Sequence, residues 1–198
     1  MHFEEHHIYH VYNRGNNKVK VFFSDANYLF FLKKVEAEWL KYTDILCYCL
    51  MPNHFHFMIA VKSTGCAYTK QQGQISPLQV LSMTIGKTLS SYTRAINIQN
   101  KAIGTLFQKK TKAKCLTDGG SSLAYSPTDY LVNCFSYIHN NPVAAGICKN
   151  NCEWPYSSWK NYYDRNKSTL CNIELGIKRV GLIEQDLVPD ESIIEEIW

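Results

Sequence analysis

The chain reads as an α+β protein, an antiparallel sheet with helices packed against it. Segments of strand character alternate with segments of helical periodicity in the order strand, helix, strand, strand, helix, strand, helix. No Gly-x-Gly-x-x-Gly follows a strand, which excludes a doubly wound dinucleotide-binding fold. The 198 residues are 45% hydrophobic and 13% aromatic, enough for one domain with a real core.

Taken in order, Ile8-Tyr9-His10-Val11-Tyr12-Asn13 is the first strand, closed by the turn cluster Arg14-Gly15-Asn16-Asn17. Ser24 or Asp25 caps a helix over residues 26–42, with Leu29, Leu32, Val35, Trp39 and Leu40 at helical spacing. A strand over residues 45–51 runs into Pro52-Asn53, and another continues from His54 to about Val61. Residues 62–74 read as a loop. Ser76-Pro77 reads as a helix start, serine as N-cap and proline at the first helical position. Leu78, Leu81, Ile85, Leu89, Tyr92 and Ile96 follow at helical spacing. Residues 106–116 are extended, and residues 119–122 form a loop. A helix opened by Pro127 or Thr128 is expected to end at Asn140-Asn141-Pro142, because proline pushes its predecessor out of the helical region. Residues 1–165 form the domain, and residues 166–198 an acidic tail with a last helix near 191–198.

Charge is unevenly spread. Residues 1–165 carry 18 Lys and Arg against 10 Asp and Glu, whereas residues 166–198 carry 3 against 7. A basic body suits a polyanionic partner, the alternative being ordinary solvated charge. No apolar run reaches the length of a membrane span, and the N-terminus lacks the apolar core of a signal peptide. A cytoplasmic protein with no membrane partner is expected. The 8 cysteines then read as reduced, partly buried thiols, and no Cys-x-x-Cys pair points to zinc.

The chemistry centres on Leu50-Met51-Pro52-Asn53-His54-Phe55-His56-Phe57-Met58-Ile59. On a strand, His54 and His56 share one face, while Phe55, Phe57 and Ile59 anchor the other. Two imidazoles so placed can grip one metal ion; the competing reading is two structural histidines. On the later helix, Asn133, Tyr137 and Asn141 lie four residues apart on a polar face. A tyrosine, with its pKa near 10, is a poor nucleophile unless its electrophile is already polarised. The histidine strand can hold the metal that does this, and Asn141 can add an oxygen ligand or merely cap its helix. Tyr92 is the rival nucleophile, although its spacing with Leu89 and Ile96 argues for packing. His2, His6, His7 and His10 read as surface residues.

At these residues the chain resembles a known family. His54-Phe55-His56 matches the His-hydrophobic-His signature of HUH single-strand nucleases. Tyr137-Ile138-His139-Asn140-Asn141-Pro142-Val143 is similar to the tyrosine helix and following turn of single-tyrosine transposases, in particular the REP-associated tyrosine transposase branch. Tyr12-Asn13-Arg14-Gly15, Met51-Pro52-Asn53, Gly104-Thr105-Leu106-Phe107-Gln108 and Trp154-Pro155-Tyr156-Ser157-Ser158 are further landmarks of that branch. The resemblance covers roughly residues 8–163. It implies a ferredoxin-like, RRM-like sheet of the HUH nuclease type. It also implies a divalent metal at His54 and His56, with Asn141 as third ligand, and Tyr137 attacking a DNA phosphate.

The function expected is a metal-dependent single-stranded DNA endonuclease and strand transferase. It would act on hairpin-forming DNA through a 5′-phosphotyrosine, with Mg²⁺ or Mn²⁺ preferred over zinc by the oxygen-rich substrate and the amide ligand. The alternative is a binding module of the same fold that recognises hairpin or single-stranded DNA without cutting it. Lys110, Lys112 and Lys114 would share a face of an extended strand and contact phosphates, unless they merely protect a solvated sheet edge. Arg14, Lys87 and Arg94 are the next DNA-binding candidates. A homodimer and a monomer both remain compatible with the sequence.

Overall fold

A computed structural model describes residues 1–71, 74–117, 127–165 and 168–187. Its elements are β1 (Ile8–Arg14), α1 (Asp25–Trp39), β2 (Thr43–Met51), β3 (His54–Val61), α2 (Ser63–Cys66), β4 (Tyr68–Gln71) and β5 (Gln74–Gln79). They continue with α3 (Val80–Asn100), β6 (Lys112–Cys115), α4 (Pro127–Ala144), α5 (Trp159–Tyr163) and α6 (Ile173–Val180). The main sheet has the order β2-β3-β1-β6, and every neighbouring pair is antiparallel. With α1 and α3 as the intervening helices, this is the ferredoxin-like β-α-β-β-α-β arrangement. β4 and β5 form a separate hairpin.

Strand alternation divides the core in two. Tyr9 and Val11 of β1 and Phe55, Phe57 and Ile59 of β3 point to one face, under α1 and α3. Ile8, Met58 and Ala60 point to the other, under α4, α5 and α6. The outer edge of β2 is covered by the Trp154–Ser158 segment. Leu50 N–H donates to the Tyr156 carbonyl at 2.9 Å, Ser158 N–H to the Tyr48 carbonyl at 3.0 Å, and the Trp154 indole to the Leu50 carbonyl at 2.9 Å. A strand edge that would otherwise present free backbone groups is thereby satisfied. All 8 cysteines are free thiols, four of them buried. Among the described residues no helix is long and apolar enough to cross a membrane.

Several local expectations are corrected. The buried stripe of α1 is Tyr28, Phe31, Val35 and Trp39, whereas Leu29 is 54% exposed. The rings win because each buries more area than leucine: Tyr28 stacks on Tyr156 at 3.7 Å, and Phe31 packs edge-on to Tyr92 at 5.0 Å. Residues 62–74 are not all loop, since α2 and β4 lie there. Ser76-Pro77 falls within β5, and α3 begins only at Val80. The delay has a tertiary cause: the Gln79 side chain exchanges two hydrogen bonds with the backbone of Phe3, at 2.7 and 2.8 Å, and holds Gln79 extended.

Helix α4 does not stop before Pro142 but runs through it to Ala144. Proline there removes one N–H and restricts Asn141, a cost borne in the last turn, where few helical bonds remain to be lost. Ala145 N–H still reaches the Asn141 carbonyl at 3.0 Å, and Ile147 N–H the Pro142 carbonyl at 2.9 Å. Gly146, at φ +66°, then turns the chain away. Of the expected acidic tail, residues 168–187 are docked on the body. Asn172 N–H donates to the Ile45 carbonyl at 2.9 Å, and Leu170, Cys171, Val180, Leu182 and Leu187 are buried. The helix expected near 191–198 and the loop at 119–122 lie outside the described residues.

Candidate active site

The site is built where α4 crosses the face of β3 that carries His54 and His56. On that face the register sets Arg14 opposite His54 and Tyr12 opposite His56 on one side, with Met51 and Cys49 opposite them on the other. The hairpin leading into His54 is clamped from outside. Pro52's carbonyl accepts Val21 and Phe22 N–H at 2.8 and 3.1 Å, and Asn53's carbonyl accepts Gly15 N–H at 2.7 Å. Gly15 is needed here, because a Cβ would run into the Val19 carbonyl.

The Asn53 side-chain oxygen lies 2.6 Å from His54 Nδ1, while its amide nitrogen faces the Lys18 carbonyl at 3.4 Å. The oxygen fixes the His54 proton on Nδ1 and leaves a lone pair on Nε2. Asn141 is oriented by its own helix: its amide nitrogen donates to the Tyr137 carbonyl at 2.7 Å. Its oxygen consequently faces His54 Nε2, at 3.4 Å. Two acceptors are thus aimed at one another across a gap, an arrangement that a cation between them would reconcile. His56 is buried, its Nδ1 lies 2.8 Å from His10 Nε2, and its Nε2 has no hydrogen-bond partner. A buried nitrogen without a partner is costly unless something ligates it.

Both histidines are held neutral, as ligation requires. Burial pushes the pKa of His56 well below the usual histidine value, with the neighbouring His10 and His54 adding to the shift. Burial also lowers that of His54; the Asn141 contact works against this, and the Arg14 charge reinforces it. Among the described residues no three His, Cys, Asp or Glu side chains are grouped to hold a metal. The donor set that fits one is two imidazoles and the Asn141 carboxamide oxygen.

Tyr137 stands over His56 and His10. Its ring is edge-on to His56 at 5.5 Å and to His10 at 6.2 Å. Tyr92 is removed from contention, because it is fully buried on the opposite face and donates its hydroxyl to the Val21 carbonyl at 2.8 Å. The structure therefore brings together Tyr137, His54, His56, Asn141 and Arg14. Lys112 and Lys114 join them on the same face, across from Tyr12 and His10 in β1. Lys112 Nζ lies over the Tyr12 ring at 5.9 Å and Lys114 Nζ over the Tyr130 ring at 5.2 Å. Lys110 precedes β6 and so is not held to its alternation. Lys87 and Arg94 stand on α3, behind the sheet, and do not converge on the site.

His10 and Tyr12 belong to the site, and sequence reasoning missed both. His10 is 1% exposed, not a surface residue. It stacks on Tyr12 at 4.7 Å, and its ring centroid lies 5.0 Å from that of His56, to which it is hydrogen-bonded edge to edge. The signal was the same-face spacing of His10, Tyr12 and Arg14, which becomes legible only once β1 is paired with β3.

No protein-family model matches the chain, and no curated protein matches its sequence. Among solved structures it matches a REP-associated tyrosine transposase determined bound to a REP hairpin. The TM-score is 0.60 at 14% identity, over 98% of this chain and 92% of that one. At that identity the likeness is one of fold: this chain has the α+β architecture of a REP-associated tyrosine transposase.

Proposed function

We propose that the protein is a metal-dependent endonuclease and strand transferase for single-stranded, hairpin-forming DNA. One observation carries the reading: the Nε2 of buried His56 has no hydrogen-bond partner, the His56 ring lies 4.9 Å from that of His54, whose Nε2 faces the Asn141 oxygen, and the Tyr137 ring stands edge-on to His56 at 5.5 Å. His54, His56 and Asn141 would hold Mg²⁺ or Mn²⁺, which when bound supplies charge to polarise the scissile phosphate. The Tyr137 oxygen loses its proton and attacks phosphorus. A phosphorus–tyrosine bond forms, the bond to the 3′ oxygen breaks, and that oxygen takes up a proton. A 5′-phosphotyrosine and a free 3′-OH result. The phosphodiester energy is kept, so another 3′-OH can reverse the step and join strands. Arg14, Lys112 and Lys114 supply positive charge along the strand's path.

The test is incubation with labelled single-stranded hairpin DNA and Mn²⁺, followed by denaturing electrophoresis. A covalent adduct is expected. It should disappear in Tyr137→Phe while hairpin binding stays within a few-fold, because the phosphate contacts lie elsewhere. His54→Ala and His56→Ala should lose both the adduct and Mn²⁺ affinity. Tight hairpin binding with no adduct would point instead to a non-cleaving DNA-binding module. An adduct that survives in Tyr137→Phe would remove Tyr137 as nucleophile.

A further inference from the structure

We infer that His10 is a positioning residue for this site: its Nε2 accepts the Nδ1–H of His56 and so holds the His56 lone pair on Nε2, the nitrogen that has no hydrogen-bond partner. The inference rests on the metal reading above. The geometry is specific. The two ring nitrogens are 2.8 Å apart and both rings are buried, so no water competes for the bond. The rings are nearly parallel, at 26°. An uncharged pair can share only one proton across that contact. If His56 donates, its Nε2 is a ligand; if His10 donates, His56 carries its proton on Nε2 and cannot ligate. The two ligand histidines are thus fixed in the same tautomer by different neighbours, His54 by Asn53 and His56 by His10. Histidines that bind metal generally have the other nitrogen held in this way, and loss of the holding group costs roughly 10- to 100-fold in metal affinity.

Two variants separate positioning from packing. His10→Phe keeps an aromatic ring between Tyr12 and His56 but has no acceptor. His10→Gln keeps an acceptor oxygen. Nitrogen-15 NMR of the metal-free protein reads the His56 tautomer, and Mn²⁺ titration followed by EPR reads affinity without any cleavage. The wild type should show His56 protonated on Nδ1. His10→Phe should shift it toward the Nε2–H form and bind Mn²⁺ roughly 10- to 100-fold more weakly. His10→Gln should recover most of that affinity. The wild-type spectrum decides the matter even where a variant fails to fold, since an Nε2-protonated His56 there would overturn the inference. So would wild-type Mn²⁺ affinity in His10→Phe, or equal weakening in a folded His10→Gln. Failure of the wild-type protein to bind Mn²⁺ would instead overturn the functional reading.

Discussion

The run Tyr137-Ile138-His139-Asn140-Asn141-Pro142 gives nearly every side chain a separate task. Tyr137 and Asn141 face the histidine strand, and Ile138 fills the core beneath α4. Asn140 accepts a hydrogen bond from Asn151 and ties down the segment after the helix. His139 is fully buried, with Nδ1 3.1 Å from the Phe135 carbonyl and Nε2 2.8 Å from the Ser158 hydroxyl. The carbonyl can only accept, so Nδ1 carries the proton and Nε2 accepts from the serine. Burial drops the His139 pKa from 6.5 to about 3, the Phe135 bond partly opposing this. Between those values the unfolded chain binds a proton that the folded one refuses. The stability present above pH 6.5 is therefore lost as pH falls toward about 3, at about 1.4 kcal/mol per pH unit for this histidine. His10, lowered to about 3 by burial and the Lys114 charge, acts in the same direction. His139→Gln, which can keep both hydrogen bonds, should flatten this fall in urea unfolding between pH 6.5 and 4. A parallel pH profile in the variant would show that His139 does not contribute.

At the level of strands and helices, what the sequence made legible was alternation and spacing. The strand from His54 reads directly because Phe55, Phe57 and Ile59 alternate with His54 and His56 and pack together on the face under α1 and α3. That fixes the histidine face and, with it, half of the site. What stayed hidden depended on partners distant in the chain. Gln79 delays α3 because it bonds to Phe3, and His10 enters the site because β1 pairs with β3. Neither pairing leaves a local trace. The lysine run was legible as an extended, basic segment, but its orientation was not. Pairing with β1 turns Lys112 and Lys114 toward the site, and Lys110 falls outside the strand. If these lysines neutralise phosphates, replacing all three by Ala should make the slope of log affinity against log salt shallower by roughly 2, at about 0.7 per contact to a single strand. Preference among hairpin sequences should change little, since phosphate contacts position and base contacts specify. An unchanged slope in the triple variant would reduce the stripe to a protected sheet edge.

Taken as a whole, the molecule closes its sheet with the chain that follows the tyrosine helix. β2 lies between the histidine strand and two later segments, Trp154–Ser158 and the stretch that leads into α6. Residues 168–187 contribute Val180, Leu182 and Leu187 to the core on the α4 side and Leu170 to the core under α1 and α3, and Asn172 extends the hydrogen bonding of β2. Each such side chain contributes about 1.5–3 kcal/mol on burial, so four together rival the whole margin of about 5–15 kcal/mol that holds a domain folded. Charge gives the opposite impression, because the acidic composition after residue 165 reads as a solvated appendage. A chain ending at residue 165 should consequently lose its cooperative thermal transition, followed by circular dichroism at the strand and helix bands. Leu182→Ala in the full chain should lower stability by about 2–3 kcal/mol, within the range for buried leucine truncations. Hairpin binding should fail together with folding in the truncated chain, because β2 sets the register of β3 and β3 carries His54 and His56. A truncated chain that melts cooperatively near the full-length temperature would show that residues 168–187 only lie against a body that is already complete.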